Sequence, residues 1–264
     1  MVARYCPLFS GSSGNCTYIG TPDSGILIDA GVSARRIETA LAERGIDPRS
    51  IAAIFVTHEH SDHVCGLPIL LKRYQYPVFA SAGTLDALLS GGKMPVNNCY
   101  AQIDEEGLEA GDMWIKAFRT SHDSRESLGF RVECPDGRQV AVATDTGVMT
   151  DTVRHALTGC DLVHIESNHD IRMLENGPYP YYLKRRILAK TGHLSNEACA
   201  MELPGLAQKG TTRFFLAHLS KENNYPELAF ATAQSTLQEE GMVENRDYIL
   251  KVAPRDATEP VVVF

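Results

Sequence analysis

In the run Ile51-Ala52-Ala53-Ile54-Phe55-Val56-Thr57-His58-Glu59-His60-Ser61-Asp62-His63, six apolar residues give way at Thr57 to three histidines and two acids. The apolar half reads as a buried strand. The polar half therefore emerges where a buried strand ends, which is where α/β sheets build their sites. Imidazole and carboxylate suit zinc, manganese or iron, and crowding His58, His60, Asp62 and His63 together without a cation is costly. In an extended loop His58 and His60 point the same way and share one metal, while Asp62 and His63 turn toward another. Two divalent ions are the natural count, with zinc first among the candidates. A solvated polar loop has no need of the order His-x-His-x-Asp-His directly after a strand.

Outward from this run, short β-type stretches recur with helical patterns between them. Gly25 to Asp29 reads as a strand followed by a helix over Val32 to Arg44. Ile51 to Val56 is followed by a helical Gly66 to Tyr74, and Val78 to Ala80 by Thr84 to Leu89. Further strands are expected at Met113 to Arg119, Leu128 to Glu133, Val140 to Thr144, Leu162 to Ile165, Arg213 to Ala217 and Tyr248 to Val252. Helices are expected at Val148 to Leu157, Tyr181 to Ala189, Ser195 to Leu203 and Pro226 to Glu239, the last two opening on Ser and Pro. Without a fixed-period repeat, low-complexity segment or Pro/Ser-rich linker, residues 1–264 read as one α/β domain. The turn-rich Asn176-Gly177-Pro178-Tyr179-Pro180 reads as an active-site loop.

Composition bounds the function. With 264 residues, 44% hydrophobic and 22% charged, the chain can bury a sizeable core, and no apolar stretch is long enough to cross a bilayer. Met1 to Pro7 has neither a charged leader with an apolar run nor a small-residue cleavage site, so the expected location is the cytoplasm. Seven cysteines without a Cys-x-x-Cys pair read as reduced and mostly buried. The net charge of −8 argues against a broad basic surface for duplex DNA, although bound divalent cations add positive charge at a site itself.

The run from His58 to His63 resembles the metal-binding motif of the metallo-β-lactamase superfamily. That resemblance implies a four-layer αβ/βα sandwich with metals at the edge between two sheets. It also assigns further residues. Asp29, ending Leu27-Ile28-Asp29, resembles the acid that orients the ligand loop from behind. His122, in Thr120-Ser121-His122-Asp123, resembles the third ligand of the first metal. Asp145, in Ala143-Thr144-Asp145-Thr146, resembles the carboxylate bridging both ions, and His218, in Leu216-Ala217-His218, the last ligand of the second. A lone histidine after a strand is more often a hydrogen-bonded structural residue. Here every position is filled, in order, each at the end of an apolar run. His155 and His164 lack that support and read as structural.

The superfamily spans lactamases, thioesterases, lactonases, diiron redox proteins and phosphodiesterases, so the fold leaves the substrate open. Diiron relatives typically place Glu where this chain has His60, and none of the cysteines replaces a ligand. His193, in Gly192-His193-Leu194-Ser195-Asn196, resembles the histidine that serves the scissile phosphate in the phosphodiesterase branch. Together with Phe9 to Cys16, the whole set resembles the bacterial YycJ (WalJ) group, associated with exonuclease-type cleavage. The expected function is thus a dinuclear phosphodiesterase acting on nucleic acid or another phosphodiester, with Asp62 orienting the attacking water and His193 serving the leaving oxygen. His169, Asn168, Ser12 and Ser13 are candidate substrate contacts. The loop Ser10 to Asn15 reads equally as an anion-binding nest or a plain tight turn. Lys184-Arg185-Arg186 reads as a phosphate grip or a solvated helix face. Two other functions fit the same motif: hydrolysis of a small ester, thioester or cyclic phosphodiester, and a noncatalytic metal-stabilised scaffold. Oligomeric state is left open.

Overall fold

The apolar run before Thr57 is a strand, Ile51–Phe55, inside one of two seven-stranded sheets found among the described residues. The structure is a computed structural model describing residues 2–95, 97–256 and 259–264. In the first sheet β1 (Arg4–Phe9), β2 (Cys16–Gly20), β3 (Gly25–Ile28), β4 (Ile51–Phe55), β5 (Val78–Ala80) and β6 (Tyr100–Gln102) lie in chain order. The second holds β7 (Leu108–Ala110), β8 (Met113–Arg119), β9 (Leu128–Glu133), β10 (Gln139–Ala143), β11 (Leu162–Glu166), β12 (Arg213–Ala217) and β13 (Ile249–Val252). The last strand, β14 (Val262–Val263), returns to pair antiparallel with β1. Each sheet is antiparallel at its start and parallel afterward, from β3 to β6 and from β10 to β13.

Helices cover the two outer faces. α1 (Ala34–Glu43), α2 (Ser61–Val64), α3 (Leu67–Tyr74) and α4 (Ala82–Ser90) accompany the first sheet. α5 (Asp151–Leu157), α6 (Ile171–Asn176), α7 (Tyr181–Ile187), α8 (Asn196–Ala207) and α9 (Pro226–Glu239) accompany the second. Strand alternation feeds three apolar layers. Ile54 and Val56 face the α1 and α3 side chains Ile37, Leu41 and Leu70, whereas Ala53 and Phe55 enter the layer between the sheets. On the other side Val163 and Ile165 meet Leu203, Ala233 and Leu237. Phe55 ties the sheets together, stacked on Phe79 at 5.2 Å and edge-on to Phe130 of the facing sheet at 5.5 Å. Burying one such side chain contributes roughly 1.5–3 kcal/mol. His164 belongs to this interior, its Nδ1 2.5 Å from the Tyr5 hydroxyl. His155 is exposed on α5.

Several elements depart from the periodicity reading. The hairpin β1–β2 was hidden by Pro7, which cannot donate to a ladder and precedes a register shift before Phe9. The strands β6, β7 and β14 are edge pieces of two or three residues, too short for a pattern. α6 begins where Asp170 accepts from the Met173 amide, so the turn-rich stretch is shorter than its composition suggests. α8 runs through Pro204 to Ala207, beyond the expected stop at Leu203. Cys65 and Cys99 are exposed, the other five cysteines buried, and all seven are free thiols. No helix among the described residues is long and apolar enough to cross a membrane.

Candidate metal centre

Every acid and histidine that the motif reading singles out as a ligand lies at or just beyond the C-terminal end of a strand, along one edge of the sandwich. The loop after β4 is half extended and half helical: His60 is the N-cap of α2, whose first turn carries Asp62 and His63. This local turn, rather than an extended loop throughout, splits the motif into two sets. His58, His60 and His122 can bring donor atoms within 4.8 Å of one another, and so can Asp62, His63 and His218. Asp145 lies between them. Its Oδ1 is 3.6 Å from His122 Nε2, and its Oδ2 is 3.2 Å from His63 Nε2. Asp62 Oδ2 sits 3.5 Å from His63 Nε2 and 3.6 Å from His218 Nε2. Glu59 turns away and accepts from the Arg125 amide.

Behind the first loop, buried Asp29 holds the motif in place. Its Oδ1 accepts from the Thr57 amide, and its Oδ2 accepts from the Thr57 hydroxyl and stands 2.7 Å from His63 Nδ1. That arrangement fixes the His63 ring with Nε2 facing Asp145 and Asp62. The turn carrying Asp29 packs directly on the ligand loop: a Cβ at Gly31 would stand 1.7 Å from the Asp62 carbonyl oxygen. Asp29→Asn keeps the shape of the side chain but removes one acceptor and the charge. It is expected to weaken metal affinity about 10–100-fold, read by competition with a chromogenic chelator; unchanged affinity would refute the orienting role.

Asp29, Asp145 and His218 share a left-handed backbone, with φ of 63°, 55° and 56°. For residues other than glycine such conformations cost on the order of 1–3 kcal/mol each. Surrounding hydrogen bonds enforce them: the Asp29 amide donates to Phe55 O and the His218 amide to the Ser10 hydroxyl.

Charge and burial explain why the cluster suits a cation. Burial disfavours the Asp145 carboxylate, but His218, His63 and His58 outweigh it and hold its pKa well below the carboxylate range. Burial also works against a charged His218, yet Asp145, Asp62 and Glu166 push its pKa up to about 10. Without a cation, protons on imidazole must balance the buried acids. A divalent ion would displace those protons. His58 Nε2 and His218 Nε2 are buried with no hydrogen-bond partner among the described residues, as expected of nitrogens shaped for another ligand. The residues present therefore fit two divalent ions.

Glu166, at the end of β11, has no role in the motif reading, yet the fold sets it against two of the histidines. Its Oε1 lies 2.8 Å from both His193 Nδ1 and His218 Nδ1, and its Oε2 accepts from the amides of Thr146 and Leu194. Burial opposes its charge, but His193 and His218 hold its pKa at about 2. An acid directly after a buried strand, the same pattern as Asp29, was its available signal. Asn15 likewise has no role in that reading; its Nδ2 is 3.1 Å from His63 Nε2 and its Oδ1 closes the Ser10–Asn15 turn by accepting from Gly11.

Above the centre lies a cavity of about 150 Å³ lined by Ser12, Asn168, Tyr179, Arg186, His193 and Ser220, among others. His193 is 19% exposed there. Ser13 is exposed without lining this cavity, and His169 is set apart from it, 1% exposed. Asn168 faces the cavity while its Nδ2 donates to the His218 carbonyl, which supports the last ligand position. Arg186 pairs with Asp123, beside His122; Lys184 donates to the Glu175 carbonyl; Arg185 sits 6.0 Å over the Tyr181 ring.

The chain belongs to the β-lactamase superfamily: the beta-lactamase superfamily domain matches residues 25–219, from β3 through His218. Its fold is the metallo-β-lactamase sandwich. Among curated relatives, exodeoxyribonuclease YycJ of Bacillus anthracis is 35% identical over 91% of this chain and 91% of its own length. Exodeoxyribonuclease WalJ of Streptococcus pneumoniae serotype 2 strain D39 is 36% identical over 97% of this chain and 96% of its own. The crystal structure of the metallo-β-lactamase fold protein YhfI from Bacillus subtilis superposes with a TM-score of 0.75, covering 100% of both chains at 14% identity, a likeness of fold alone.

Proposed function

We propose that this chain is a dinuclear metal-dependent phosphodiesterase that degrades DNA from an end. The observation that carries the reading is His193: its Nδ1 is tied to buried Glu166 while its ring opens on the cavity beside Asp145. Full-length likeness to two relatives named exodeoxyribonucleases supports DNA as the substrate. His58, His60 and His122 would hold one ion, Asp62, His63 and His218 the other, with Asp145 between them. Zinc suits this nitrogen and carboxylate set best. When bound, the two ions supply Lewis acidity and lower the pKa of water.

The chain's own residues then divide the work. Asp62, 24% exposed, has its Oδ2 turned to His63 and His218, leaving its other oxygen to orient the attacking water. Glu166 stays ionised and fixes the Nδ1 proton of His193. With the ring in its imidazolium form, Nε2–H of His193 gives its proton to the leaving oxygen and leaves a neutral imidazole that keeps its Nδ1 proton on Glu166. The free thiols of all seven cysteines support residence in the reducing cytoplasm.

The test measures metal content together with turnover on bis(p-nitrophenyl) phosphate, 5′-phosphorylated single- and double-stranded DNA, RNA and a thioester, with chelator-treated protein and Asp62→Ala as controls. DNA hydrolysis that both controls abolish is expected. Turnover of the thioester alone, or two bound metals with no turnover of any substrate, would overturn the proposal.

A further inference from the structure

Tyr181 and Tyr182 are 75% and 74% exposed, more than any other large aromatic side chain among the described residues. They sit side by side on the first turn of α7, directly after Pro178-Tyr179-Pro180, and Tyr179 lines the cavity that holds His193. Arg185 lies 6.0 Å over one face of Tyr181, and the adjacent pair is otherwise open to solvent; contiguous exposed apolar surface of this kind marks binding sites. The charge around the pair is equally unusual. From Ile171 to Gly192 the chain carries Arg172, Lys184, Arg185, Arg186 and Lys190 against the single carboxylate Glu175, in a protein whose net charge is −8. Arg186 is paired with Asp123, which leaves Arg172, Lys184, Arg185 and Lys190 as the local positive field, so that this charge, an aromatic platform and the mouth of the proposed catalytic cavity meet around α7. Buried Ile187 anchors α7.

Each part matches one component of a single polynucleotide strand. Aromatic faces accept bases of any identity, and cations accept the phosphates between them. Within duplex DNA the bases are already stacked, and its end offers only the outer face of the last pair rather than the successive unpaired bases that two side chains can take. Resting on the phosphodiesterase reading, we propose that α7 is the platform for the strand being cut. The unpaired bases next to the scissile phosphate stack on Tyr181 and Tyr182, while Arg172 and Arg185 attract the backbone. The protein therefore engages its DNA end as a single strand.

The test compares wild type with Tyr181→Ala/Tyr182→Ala and Tyr181→Phe/Tyr182→Phe. Each acts on a fluorescent single-stranded 12-mer, on the same strand with abasic sites, and on bis(p-nitrophenyl) phosphate, with the kcat and KM contributions separated. The Ala pair is expected to raise KM for the 12-mer about 10-fold or more, lowering kcat/KM relative to that for the small diester. The Phe pair, which keeps the stacking faces, should retain wild-type KM. Abasic sites should raise the wild-type KM by a like factor and leave the Ala pair little changed. An unchanged KM in the Ala pair, or an equal penalty for Ala and Phe, overturns the platform while leaving the phosphodiesterase reading intact. A change of oligomeric state with unchanged KM would give the surface to a second copy of the chain and overturn it equally. Failure of the wild type to cut any oligonucleotide would instead remove the reading beneath it.

Discussion

Asp145→Asn is expected to lower DNA hydrolysis by at least about 10³-fold, corresponding to the several kcal/mol that metal-ion catalysis supplies, and to reduce bound metal from two ions per chain to one or none. Asp145 is the carboxylate with one oxygen toward the first histidine set and the other toward the second. An amide keeps the size and tolerates the left-handed backbone at φ 55°, but it places a donor where one group requires an acceptor. It also removes the anion that faces His63, His122 and His218 in the interior. Metal analysis by mass spectrometry and steady-state kinetics on the same preparation check both parts. Two retained ions with activity within tenfold of wild type would show that Asp145 does not join the sets.

Replacing His193 by Ala has a different expected signature: turnover falls about 10²–10⁴-fold while both metals remain. The ring is tied to Glu166, 19% exposed, and lines the cavity, which suits a residue that meets substrate. Yet its donor atom also falls within 4.8 Å of those of Asp145, Glu166 and His218. Metal analysis separates the two roles, since a variant that loses an ion along with activity would mark His193 as a ligand and leave the leaving oxygen without an identified proton donor.

Much of this arrangement is legible in the primary structure because strand alternation and motif spacing are local signals. The run from Ile51 to His63 carries both a strand and its ligands, and the acids and histidines after β3, β10 and β12 follow the same grammar. Glu166 carries the same local signal at the end of β11, but that signal does not reveal what it does. Its importance comes from two histidines 27 and 52 residues later that the fold brings to one oxygen. The division of the motif into two sets is readable from its spacing, but the helical turn α2 that makes it is not, since four helical residues give too short a pattern. His169 illustrates the opposite limit: its neighbour Asn168 lines the cavity, but the His169 ring is buried and does not. The hairpin β1–β2 was obscured by Pro7, although its turn places Asn15 beside His63 and Ser10 beneath His218.

The left-handed geometry of Asp29, Asp145 and His218 has an evolutionary consequence. A population selected only for resistance to heat would drift toward glycine at Asp145 and His218, because glycine adopts that backbone without strain, whereas at Asp29 the buried Thr57 donors would lose their acceptor. Such drift would erode the centre while the sandwich persisted. Descendants that have abandoned catalysis should therefore be recognisable by relaxation at the ends of β10 and β12 before their cores diverge.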